Sequence, residues 1–106
     1  MALRQVTDAT FEKDVLEAPG LILVHFWAPW AKLSRDMNRL LELVARRYGP
    51  RLGIVGLEID GNPQMRERFR VMSIPTYLFF RSGQVVETRV GRMEMFRLYD
   101  IIDALL

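Results

Sequence analysis

Residues 21–35 read L-I-L-V-H-F-W-A-P-W-A-K-L-S-R, and the reading of this stretch decides the fold. Leu21 to Ala28 is almost continuously apolar, with Ile, Val and Phe prominent, which is the pattern of a strand buried on both faces. Pro29 cannot donate to a strand ladder and ends the run. A helical pattern begins at about Ala31. A strand, a sharp turn and a helix start bring unpaired backbone N–H groups and the positive end of a helix dipole to one loop. Proteins often place chemistry at such a junction.

The pattern extends outward in both directions. Leu3 to Val6 fits a short edge strand, and Thr7 or Asp8, with Glu12 close by, offers an N-cap for a helix to about Glu17. Pro19-Gly20 ends that helix. The helix from about Ala31 to Tyr48 sets Leu33, Met37, Leu40, Leu41, Val44 and Tyr48 at helical spacing, and Gly49-Pro50 stops it. Leu52 to Asp60 is a second buried strand. Asn62-Pro63 is a helix start, with Asn as cap and Pro in the first turn. Pro75 to Arg81 and Gln84 to Val90 are strands joined by a Ser82-Gly83 hairpin turn. Phe96, Leu98, Tyr99, Ile102, Leu105 and Leu106 mark a closing amphipathic helix. The order is β-α-β-α-β-α-β-β-α. It predicts an α/β domain over residues 1–106 with a mixed central sheet and helices on both faces. Strands joined by helices are expected to pair in parallel, and the last hairpin is antiparallel.

F-W-A-P-W-A-K-L-S-R resembles the thioredoxin active-site segment, F-W-A-x-W-C-G-P-C-K, with both cysteines replaced. Ala31 stands at the position of the nucleophilic cysteine and Ser34 at that of the resolving one. I-D-G-N-P at residues 59–63, F-R-V-M-S-I-P-T-Y-L-F-F-R-S-G at 69–83 and Val90-Gly91 resemble further thioredoxin motifs, in the same order. The resemblance covers almost the whole chain and implies a thioredoxin-like fold. It also implies a cis Ile74–Pro75 bond facing the redox loop.

The departures are as informative as the matches. The resemblance places a buried Asp where this chain has His25, and a Lys where it has Gly56. Lys32-Leu33 replaces the Gly-Pro between the cysteines, and Arg39 replaces a helix-kinking Pro. An engineered cysteine knockout would alter only positions 31 and 34. The wider set of changes favours a redox-divergent relative. A disulfide oxidoreductase whose cysteines have been replaced is the alternative.

The chain has 106 residues, a net charge of +2, 50% hydrophobic residues and no cysteine. The absence of cysteine removes thiol catalysis and thiolate metal sites. One histidine cannot complete a metal-ligand set, so neither a metal nor a cofactor is expected. No basic run with interleaved aromatics argues for nucleic acid, and no apolar run is long enough to span a membrane. Residues 1–10 carry no apolar core of a signal peptide, so a cytoplasmic location is expected.

Ser34 as a nucleophile would need a base and an orienting group, and no carboxylate is placed to orient His25, so a space-filling role is preferred. His25 is expected in or beside the core, as a hydrogen-bonded structural residue. A pH-sensitive role is the sharper alternative. Trp30, Leu33, Ile74, Pro75, Val90 and Gly91 correspond to the apolar substrate face of thioredoxins, with Lys32, Arg35 and Arg92 as a basic rim. The expected function is redox-inactive binding of a protein partner, of holdase or assembly-factor type, through this face. The basic rim suits an acidic segment on the partner, and the apolar face would also serve for self-association.

Overall fold

Buried apolar residues in three central strands draw the chain into one sheet. A computed structural model describes residues 3–106. The elements are β1 (Arg4–Gln5), a π-helical turn (Glu12–Leu16), β2 (Leu21–Trp27), α1 (Lys32–Tyr48), β3 (Leu52–Glu58), α2 (Pro63–Arg68), β4 (Thr76–Arg81), β5 (Gln84–Val90) and α3 (Met95–Leu105). The sheet order is β1-β3-β2-β4-β5. β3 runs parallel to both β1 and β2, whereas β4 is antiparallel to β2 and β5 to β4. Both faces are covered. On one, Leu23, Tyr77 and Phe79 pack with Met37 and Leu41 of α1 and Leu98 and Ile102 of α3. On the other, Val24, Phe26 and Phe80 pack with Phe11, Val15 and Phe69.

Four details correct the sequence reading. α2 separates β3 from β4, yet β4 does not continue the parallel set. Six helical residues advance only about 9 Å, whereas a return along seven-residue β3 needs about 23 Å. The chain therefore re-enters the sheet from the end where it left.

The first helix is a single π turn. Thr7 and Thr10 close the turn before it with reciprocal bonds, Thr7 N–H to Thr10 Oγ1 at 2.9 Å and Thr10 N–H to Thr7 Oγ1 at 3.2 Å. Asp8 caps a different helix. Its carboxylate accepts the Gln64 and Met65 N–H groups at 3.0 and 2.9 Å, at the start of α2. A carboxylate there also meets the positive end of the helix dipole. Asn62 does not cap α2. Its amide carbonyl accepts the Asp8 N–H at 2.8 Å, and its NH2 donates to the Glu58 carbonyl at 2.8 Å.

In α3 the buried stripe is Leu98, Ile101 and Ile102, and Phe96 points outward at 69% exposure. Phe96 lies two residues, about 200° of helix, before Leu98.

Candidate functional site

β2 delivers the loop. Its neighbours place three loops at one end of the sheet, because Phe26 pairs with Thr76 and Thr76 with Val90. The residues just beyond β2, just before β4 and just after β5 therefore converge. Ala28 is buried, and Pro29 and Trp30 turn the chain, with the Ala31 N–H donating to the Ala28 carbonyl at 3.2 Å. Ala31 is extended at φ −99° and ψ 104°, and α1 starts at the next residue.

Ser34 is fully buried in the first turn of α1. Its Oγ accepts the Ala28 N–H at 3.2 Å and lies 3.0 Å from the Ala28 carbonyl and 2.9 Å from that of Ala31, either of which accepts its proton. The hydroxyl is thus occupied in tying the turn to the helix. His25 bonds elsewhere, so no base reaches this oxygen. The side chain fills space and holds the loop.

His25 is fully buried and pairs its Nδ1 with Asn38 Oδ1 of α1 at 2.8 Å. The amide oxygen can only accept, so Nδ1 carries the proton and Nε2 is left as a bare acceptor. Nε2 is buried without a protein partner. The ring stacks on Tyr77, with centroids 5.3 Å apart and planes at 13°. Burial lowers the His25 pKa to about 4, against the smaller opposing effect of the Asn38 bond. Burial likewise pushes the Tyr77 phenol up. Its hydroxyl donates to the Gly91 carbonyl at 2.8 Å.

Gly56 is the β3 partner of His25. A Cβ there would lie 2.5 Å from Gln5 Nε2. Gln5 occupies that space and accepts the Trp27 indole N–H at 2.9 Å. Sequence reasoning missed Gln5 and Asn38, because neither lies near its partner in the chain.

The exposed face is led by Trp30, at 68% exposure, whose indole N–H donates to Asp60 Oδ2 at 2.7 Å. Leu33 and Val90 are also exposed, and Ile74 is half-buried. The Ile74–Pro75 bond is cis. Pro75 is buried, so it contributes no open surface to this face. Its carbonyl accepts the Gly91 N–H at 2.9 Å and so fixes the neighbouring loop. Gly91 sits at φ +92°, a left-handed conformation suited to glycine, and a Cβ there would meet open space.

Lys32 and Arg92 are exposed, and Lys32 Nζ pairs with Asp36 Oδ2 at 2.7 Å. That pair holds the Asp36 carboxyl below its ordinary range. A groove of about 220 Å³ runs from Leu33 past Met37 and Leu40 to Arg92, Met93 and Met95. Its methionines were not expected at the site. In the sequence M-E-M at 93–95 reads only as a helix start.

Among the described residues, no three His, Cys, Asp or Glu side chains cluster to hold a metal ion. Among the same described residues, no helix is long and apolar enough to cross a membrane.

The thioredoxin family model matches residues 2–104. The chain belongs to the thioredoxin family. It is 37% identical over 102 residues to a thioredoxin of Rhodospirillum rubrum, covering 96% of this chain and 98% of the relative. It is 40% identical over 101 residues to a thioredoxin of Listeria monocytogenes, covering 95% and 96%. It is 39% identical over 99 residues to a thioredoxin of Pseudomonas aeruginosa, covering 93% and 92%. As a thioredoxin-family member it lacks the C-x-x-C motif outright, having no cysteine.

Proposed function

We propose that this chain is a redox-inactive thioredoxin-family domain that binds other proteins through the former substrate face. Thiol exchange begins with attack by a thiolate, and none is present. The observation that carries the reading is Trp30. A tryptophan left 68% exposed at the same end of the sheet as exposed Leu33 and Val90 suits the apolar centre of a recognition surface with a charged rim. Arg35 and Arg92 add positive charge to that rim, where Lys32 is paired with Asp36, which suits an acidic segment on the partner and binding that weakens with salt. A holdase or assembly-factor role in the cytoplasm fits these features, and no cofactor is needed.

Retention of an unfolded acidic protein tests the reading, with reduced and carboxymethylated α-lactalbumin as probe. Saturable binding that falls at high salt is the expected result, with Trp30→Ala reducing it while the circular dichroism is unchanged. Equal binding by the parent and the variant refutes the assignment of this face.

A further inference from the structure

β5 is the outer strand of the sheet and pairs only with β4. The Gly91 N–H bonds inward to Pro75, and antiparallel ladders alternate, so Arg89 and Glu87 share that inward phase. Thr88 and Val90 turn their backbone groups to the open edge. In agreement, the Thr88 N–H finds only the Glu87 side chain, at 3.3 Å.

Open edges are normally guarded by charge, and this one carries Glu87 and Arg89. The two charges flank Thr88 symmetrically, have opposite sign and already pair within the chain, Arg89 Nη2 donating to Glu87 Oε2 at 3.0 Å, so a second copy would have to share or exchange these partners. Both face the α3 side, paired across β4 with Phe79 and Tyr77. Arg97 and Asp100 of α3 line the same hollow and offset each other.

We infer that β5 is a self-recognition edge, which pairs antiparallel with β5 of a second copy about a two-fold axis through Thr88. In that register the two Thr88 residues exchange backbone N–H···O bonds. Glu87 of each copy lies opposite Arg89 of the other, in a non-hydrogen-bonded pair, where side chains approach most closely. Moving the axis to Glu87 sets Glu87 against Glu87, and moving it to Arg89 sets Arg89 against Arg89. A slip of the pairing by one residue separates the charges onto opposite faces. The same two side chains therefore reject the neighbouring registers and accept one. Val86, the extra residue of the bulge opposite Phe79–Phe80, limits the flat pairing about Thr88 to Glu87–Arg89.

Sedimentation equilibrium of the full chain up to millimolar concentration tests the inference. A monomer–dimer equilibrium that weakens with salt is expected. Arg89→Glu and Glu87→Arg should each be monomeric at the same concentrations, because each sets like charges against each other. A one-to-one mixture of the two variants should restore dimers, since every facing pair is again opposite in sign. Thr88→Pro removes the central edge bonds without touching the β4 ladder and should also be monomeric, with circular dichroism verifying the fold. A chain that stays monomeric throughout overturns the inference and leaves the edge to a strand of another protein. Dimers that survive Thr88→Pro, or variants that fail to associate when mixed although each is folded, overturn it equally.

Discussion

Acidification should weaken this protein through His25 alone over a window in which ordinary carboxylates stay ionised. The imidazole is the only one in the chain. Its pKa lies near 4 in the folded state because burial disfavours the imidazolium, against about 6.5 in an unfolded chain. A group whose neutral form is favoured by folding contributes its full stability above pH 6.5 and loses it as pH falls toward 4. Between pH 7 and pH 5 the unfolded ring takes up about three-quarters of a proton and the folded ring about a tenth. At about 1.4 kcal/mol per pH unit below 6.5, the loss at pH 5 is about 2 kcal/mol. In urea unfolding this lowers the midpoint by roughly 1 to 2 M, for a slope typical of small domains. His25→Gln keeps an N–H donor for Asn38 and removes the titration, so its midpoint should stay nearly level over the same range. Parallel decline of the two proteins would falsify the assignment. So would an imidazole NMR titration of the folded chain with a midpoint near 6.5.

Three further outcomes are expected. Asp8→Ala removes the carboxylate that caps α2 and should destabilise the fold by about 1 to 2 kcal/mol, read as a lowered urea midpoint; an unchanged midpoint would count against the cap. Trp30→Ala should weaken capture of carboxymethylated α-lactalbumin by about 2 kcal/mol, roughly 30-fold, without lowering the melting temperature; a smaller loss of binding than of stability would refute the hot-spot role. Restoring cysteines at Ala31 and Ser34 together should give insulin reduction far below that of the Rhodospirillum rubrum relative, because His25 and Gly56 remain; activity equal to the relative would show that the neighbours are immaterial.

The element order was legible in the sequence because it rests on long apolar runs and on Gly and Pro punctuation. Leu21–Ala28 and the Gly49-Pro50 stop are local signals, and the structure places β2 and the end of α1 where those signals fall. The orientation of β4 was not legible. It depends on whether α2 is long enough to cross back, which a motif-level reading does not measure. The caps were misread for a related reason. Asp8 looks like a cap for the residues after it, but its partners are more than fifty positions away. At the site, the burial of His25 follows from a strand covered on both faces and that of Ser34 from helical phase, whereas exposed Trp30 lies in the turn between them. Asn38, Gln5 and Asp60 come from separate elements, and only the folded geometry brings them to His25, Trp27 and Trp30.

The Gln5 side chain lies over Gly56 and holds the Trp27 indole. A lysine at position 56 would have to evict that amide, release Trp27 and settle beside a neutral imidazole with no carboxylate to pair it. The packing therefore couples positions 5, 27 and 56, so that a change at any one of them disturbs the other two.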